Sequence, residues 1–127
     1  MSAGPLIYLV DDDKDFLDLE KAILEHGGYR TRCFTESRGA LEALASAAGA
    51  QRPALVVTDL MMPVMNGLVL IRALRAIDPM LRIIATSGLS ELPQRLELAA
   101  LGVPEVLVKP FEVHVLLEAV NRRLAGA

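Results

Sequence analysis

The chain has 127 residues, 53% of them apolar, and its 13 basic and 16 acidic side chains leave a net charge of -3. This excludes intrinsic disorder, and one domain of this length buries a core without a disulfide or metal staple; Cys33 is the single cysteine, so no intrachain disulfide forms. The absence of a basic stripe and of Trp argues against a nucleic-acid platform, no apolar run approaches the roughly 18 residues of a membrane span, and Met1 to Pro5 lacks the basic and apolar regions of a signal peptide, so a cytoplasmic protein is expected.

Leu6 to Val10 is a short apolar run without alternation, the pattern of a strand buried on both faces. Directly after it, four acids fall within Asp11 to Asp15. Phe16, Leu19, Ile23 and Leu24 then share one face of a helix that Gly27-Gly28 stops. Tyr29 to Phe34 mixes charge into a second strand, which predicts a sheet edge, with Cys33 as a small core residue of that strand. Ala40, Leu41, Leu44 and Ala47 form a second helical stripe that ends near Gly49.

Ala54 to Thr58 reads as a third strand and is followed by Asp59. Leu70, Ile71, Leu74 and Ile77 make a third helix, ended by Asp78-Pro79. Arg82 to Thr86 is a fourth strand, and Leu92 to Leu101 a shorter fourth helix that stops at Gly102. Val106 to Val108 is the fifth strand, with Lys109 just beyond it. Val113, Leu116, Leu117, Val120 and Leu124 follow as an amphipathic last helix. The strands begin roughly 25 residues apart, the length of one βα unit. The prediction is one α/β domain over residues 1–127, a doubly wound (βα)5 parallel sheet with right-handed crossovers.

Ligands of such sheets bind beyond the carboxyl ends of the strands. Those ends carry Asp11, Asp12 and Asp13, then Asp59, then Thr86 and Ser87, then Lys109. Carboxylates crowded at one edge repel, so at least one has a raised pKa unless a counter-ion is present. An oxygen-only pocket suits Mg2+, which takes one or two carboxylates and keeps several waters. Lys109 supplies a mobile charge and Thr86 a hydroxyl, and together these are the parts that stabilise a phosphoryl group in transfer. Asp59 is the candidate nucleophile, because a carboxylate can form an aspartyl phosphate.

Each residue also has a plainer reading: Asp11 to Asp13 as an N-cap and first turn, Asp59 as a loop acid before a turn, Lys109 as a solvated lysine. Their joint placement at strand ends is what favours a site. Met61, Met62 and Met65 read as packing and turn residues. His26 and His114 lack metal-ligand spacing and read as exposed. Arg122 and Arg123 complement the dipole of the last helix.

The segments Val10-Asp11-Asp12, Asp59-Leu60-Met61-Met62-Pro63-Val64-Met65-Asn66-Gly67, Ala85-Thr86-Ser87-Gly88 and Val108-Lys109-Pro110-Phe111, in this order, resemble the receiver domain of two-component response regulators, over about Leu6 to Leu124. The resemblance implies a flavodoxin-like receiver fold with strand order 2-1-3-4-5. It implies that Asp59 takes a phosphoryl group from a phosphohistidine on a histidine kinase or histidine phosphotransfer protein. It further implies that Asp12 and Asp59 ligate Mg2+ together with the backbone carbonyl of Met61, and that Asp11 assists through water. Lys109 would contact the phosphoryl oxygen, Thr86 would act as the switch hydroxyl, and Lys109-Pro110 is a candidate cis peptide. Output or kinase domains in a longer parent chain are compatible with this reading; nucleic-acid binding by this domain is not expected.

Two positions depart from the family pattern: Val106 stands where most relatives carry Tyr or Phe, and Gly88 has no side chain to guide or block a water. Two alternatives compete with this reading. A haloacid-dehalogenase-type hydrolase fits Asp11-x-Asp13 but lacks the further acidic pair after the lysine. A pseudo-receiver that only binds partners usually loses an acid or the lysine, and here all are present.

Overall fold

The computed structural model describes residues 4–62, 65–88 and 94–125. Met1 to Ala3, Pro63, Val64 and the expected start of the fourth helix at Leu92 lie outside them. The elements alternate: β1 Leu6–Val10, α1 Lys14–His26, β2 Arg30–Phe34, α2 Ser37–Ser46, a 3-10 turn Gly49–Gln51, β3 Leu55–Asp59, α3 Gly67–Ile77, β4 Arg82–Ser87, α4 Arg95–Ala100, β5 Val106–Val108 and α5 Val113–Ala125. All strands pair in parallel, in the order β2-β1-β3-β4-β5. This is the doubly wound sheet the sequence predicts, with its order reversing between β1 and β3. Among the described residues no helix is long and apolar enough to cross a membrane.

Alternate strand residues feed two cores. Tyr8, Val10, Val56, Ile83 and Ala85 pack with Leu44, Leu70, Leu74 and Leu98, so α2, α3 and α4 cover one face. Ile7, Leu9, Leu55, Val57 and Ile84 pack with Leu17, Leu24, Leu116 and Val120, so α1 and α5 cover the other. Full burial of β1 and β3 explains why both read as continuous apolar runs. Side chains of this kind contribute roughly 1.5–3 kcal/mol each when fully buried.

Several residues lie elsewhere than the periodicity predicts. The buried stripe of α1 is Leu17, Glu20, Ile23 and Leu24. Leu19 lies about a third of a turn away and is 48% exposed. An acid occupies the centre of the stripe, and hydrophobic periodicity cannot see it. Ile77 and Val113 are exposed, at the last position of α3 and the first of α5. Cys33 is exposed, not a core residue: β2 is an edge strand, and both Arg32 and Cys33 face solvent. His26 and His114 are exposed as expected.

Caps account for the helix starts. The Asp13 side chain accepts from the amides of Asp15 and Phe16, and that of Asn66 from the amide of Val69. Gly67 opens α3 directly against the end of β3. A Cβ there would lie 2.5 Å from the Asp59 carbonyl oxygen and 2.7 Å from Leu60 Cα, both backbone atoms with little room to yield. Gly67→Ala should therefore lower stability by about 1–3 kcal/mol. Gly88→Ala meets open space and should change it by less than about 0.5 kcal/mol. Urea denaturation of both variants measures the difference.

Candidate functional site

Four strand ends converge on one pocket. Asp11 follows β1, Asp59 and Ser87 close β3 and β4, and Lys109 follows β5. Asp59 and Thr86 lie one residue further into their strands than expected, paired across the β3–β4 register. Both are buried, as are Asp11 and Ser87, whereas Asp12 is exposed at the rim. Carboxylate oxygens of Asp11, Asp12 and Asp59 all lie within 4.8 Å of one another.

Lys109 is the cation of this group. Its Nζ donates to Asp11 Oδ2 at 2.7 Å and stands 3.7 Å from Asp59 Oδ1. It also sits 4.3 Å from the centre of the Phe16 ring, which is packed edge-on against Phe111. The ring thus gives the ammonium a favourable face while shielding it from water. The Lys109-Pro110 peptide is cis. Backbone amides fix the acids: Asp13 N donates to Asp11 Oδ1 at 2.9 Å, and Met61 N to Asp59 Oδ1 at 3.3 Å.

Not every predicted residue joins the pocket by its side chain. Asp13 caps α1, so the plain reading holds for that one acid. The Met61 side chain is 56% exposed, and its backbone is the part that touches the site.

Glu20 is the residue that sequence reasoning missed. It is 1% exposed on α1, and its charge is coupled to Asp11, Lys109 and Asp59. The available signal was an acid spaced i+3 from Leu17 and i−4 from Leu24 on an otherwise apolar stripe.

The electrostatics follow from this crowding. Burial first, then the Asp11 charge, raise the Asp59 carboxyl above the ordinary range, with Lys109 opposing. Burial and the Asp11 charge push Glu20 up to about 8. For Lys109, burial favours the neutral amine, but the hydrogen bond to Asp11 and the charges of Asp11, Asp59 and Glu20 outweigh it and hold the ammonium above its usual range. One ammonium therefore balances a group of buried and rim acids whose donor atoms are all oxygens. That donor set fits a hard divalent cation such as Mg2+.

A raised acid pKa stabilises the folded state by its extra bound proton. For Glu20 that contribution is complete below about 4.5 and is lost as pH rises through about 8. Asp59 acts in the same direction. In EDTA the protein should lose on the order of 2–4 kcal/mol of stability between pH 5 and pH 8. Glu20→Gln should flatten most of that slope. Urea midpoints across the range are the measurement, and a wild type whose stability rises over this interval would refute the assignment.

A family model for the response regulator receiver domain matches residues 7–121. The C4-dicarboxylate transport transcriptional regulatory protein DctD of Rhizobium meliloti is 32% identical over 122 residues, which cover 96% of this chain and 26% of DctD. The chemotaxis protein CheY of Thermotoga maritima is 30% identical over 94% of this chain and 97% of its own length. Among solved structures, the chemotaxis protein CheY4 of Vibrio cholerae superposes with a TM-score of 0.86 at 26% identity, covering 95% of this chain and 99% of that one. The chain thus spans about a quarter of DctD and nearly all of either CheY protein. With the sheet order and the acid pocket at its carboxyl edge, these matches show that the chain belongs to the response regulator receiver domains of two-component signalling systems.

Proposed function

We propose that Asp59 is the phosphoacceptor of a Mg2+-dependent receiver acting in the cytoplasm, which takes a phosphoryl group from a phosphohistidine on a histidine kinase or histidine phosphotransfer protein. The observation that carries this reading is the pocket itself: a buried Asp59, with Lys109 at 3.7 Å and the oxygens of Asp11 and Asp12 within 4.8 Å. As a receiver domain the chain is a signalling module and not a conventional enzyme; in this reading it catalyses only its own phosphorylation and dephosphorylation.

Asp12, Asp59 and the Met61 carbonyl would hold Mg2+, with Asp11 assisting through water, and the cation would neutralise charge on the phosphoryl group. The Met61 amide orients the Asp59 carboxylate. An Asp59 oxygen attacks phosphorus, the phosphorus–nitrogen bond of the phosphohistidine breaks, and the leaving imidazole keeps the bonding pair and takes up a proton. Lys109 then has phosphoryl oxygens to pair with in place of Asp11. The Thr86 hydroxyl lies one strand away, at the residue paired with Asp59, ready to donate to the new group. Burial excludes bulk water, which strengthens each of these contacts.

The signal then leaves through a partner or through output domains of a longer chain. Val106 is short, stiff at χ1 and half-buried beside the core of α2, α3 and α4. It cannot sweep between an exposed and a buried site as a tyrosine can, so movement at Thr86 has no large side chain to amplify it.

Incubation with acetyl phosphate and Mg2+ should add one phosphate to the wild type and none to Asp59→Asn, read by intact mass; equal labelling would end the assignment. Mg2+ at a hundredfold excess over Kd should raise stability by about 2.7 kcal/mol, and Asp12→Ala should remove most of that gain. Beryllofluoride with Mg2+ should move amide resonances mainly in the loops after β1, β3, β4 and β5. Shifts of equal size along α4 and α5 would show that Val106 does not limit the response.

A further inference from the structure

We propose that Glu20 is a further residue of the cation pocket: its buried carboxyl strengthens divalent-cation binding and weakens the cation-free fold. The inference rests on reading Asp11, Asp12 and Asp59 as that pocket. Glu20 sits at the centre of the sheet-facing stripe of α1, between Leu17 and Leu24, where an apolar side chain would complete the core. It is 1% exposed, and its Oε2 has no hydrogen-bond partner. A buried polar atom left unpaired destabilises a fold, and a leucine at this place would avoid that cost.

The charged groups that reach Glu20 are Asp11 from the end of β1, Asp59 from the end of β3 and Lys109 from beyond β5. Each belongs to the pocket, the neutral Cys33 thiol of β2 is the other titratable group near it, and the carboxyl is buried on the sheet side of α1 and away from solvent. Lys109 cannot serve it alone, because its ammonium is already hydrogen-bonded to Asp11 at 2.7 Å and shared with Asp59. A divalent cation among Asp11, Asp12 and Asp59 would bring the positive charge that this inner acid lacks. Through a poorly solvated wall that attraction is felt at several ångströms. Glu20 is thus a positioning residue by field: it touches no reacting atom, and its contribution appears only when the cation arrives. Burial pushes its carboxyl up to about 8, so its charge, and with it the gain in affinity, should grow as pH rises toward and past that value.

The test is an NMR amide titration of the whole chain with MgCl2, for wild type, Glu20→Gln, Glu20→Leu and Asp12→Ala, at pH 6.5 and 8.5. At pH 8.5 both Glu20 variants should bind Mg2+ at least fivefold more weakly than wild type; at pH 6.5 the difference should shrink below twofold. In EDTA, Glu20→Leu should melt at a higher temperature than wild type. Glu20→Gln keeps the shape of the side chain and preserves the test if the leucine variant misfolds. Wild-type affinity in both Glu20 variants at pH 8.5, with binding lost in Asp12→Ala, would overturn the role of Glu20 alone. Undiminished binding in Asp12→Ala would overturn the cation pocket, and the role of Glu20 with it.

Discussion

The hydrogen bond between Lys109 and Asp11, 2.7 Å long and largely shielded from water, holds the carboxyl edge of this sheet together. A parallel sheet brings its strand ends to one side, and in this chain those ends deliver acids from β1 and β3 against one lysine from beyond β5. Without Lys109 the buried Asp11 and Asp59 would face each other uncompensated, an arrangement that low local dielectric makes costly. With it, the pocket remains short of positive charge. Burial first, and then that residual imbalance, raises Asp59 and Glu20, and the imbalance prepares the site for a cation. Charge that destabilises the resting domain is the same charge that would bind the metal.

The backbone makes the strand ends act as a unit. Leu60 N donates to the Thr86 carbonyl at 2.9 Å, Lys109 N to the Ser87 carbonyl at 2.7 Å, and Asp11 N to the Phe34 carbonyl at 3.1 Å. Each acid or base of the pocket therefore stands on, or next to, a residue bonded to a neighbouring strand. The Ser37 hydroxyl on α2 donates to the Met65 carbonyl at 2.8 Å, tying the segment after β3 to the helix beside it in the same layer. A group added at Asp59 presses on a framework tied together by these bonds. A Cβ at Gly88 would meet open space. Val106 places no large rotor on β5. The two departures from the family pattern thus flank Thr86: Gly88 follows the end of β4, and Val106 on β5 pairs with Ala85, the residue before it.

Much of this was legible in the sequence, for identifiable reasons. Strands buried on both faces leave continuous apolar runs, which place β1, β3 and β4 within a residue and put Asp11, Asp12, Asp59 and Thr86 at their ends, while Lys109 follows the short, half-buried β5. Errors gathered where neighbours, not periodicity, decide exposure. Its small apolar type predicts a core place for Cys33, yet it lies exposed on edge strand β2. Ile77 and Val113 carry the right periodicity but stand at helix ends, where they stay exposed. Periodicity read by apolar type draws Leu19 onto the α1 stripe because the true centre, Glu20, is an acid. Reading the stripe from Leu17 and Leu24 alone would have left a gap one turn from each, and the residue in that gap is charged. A hydrophobic pattern broken at its centre by one ionisable residue, on the helix that follows the acidic strand end, is thus a detectable sign that the pocket extends into the core.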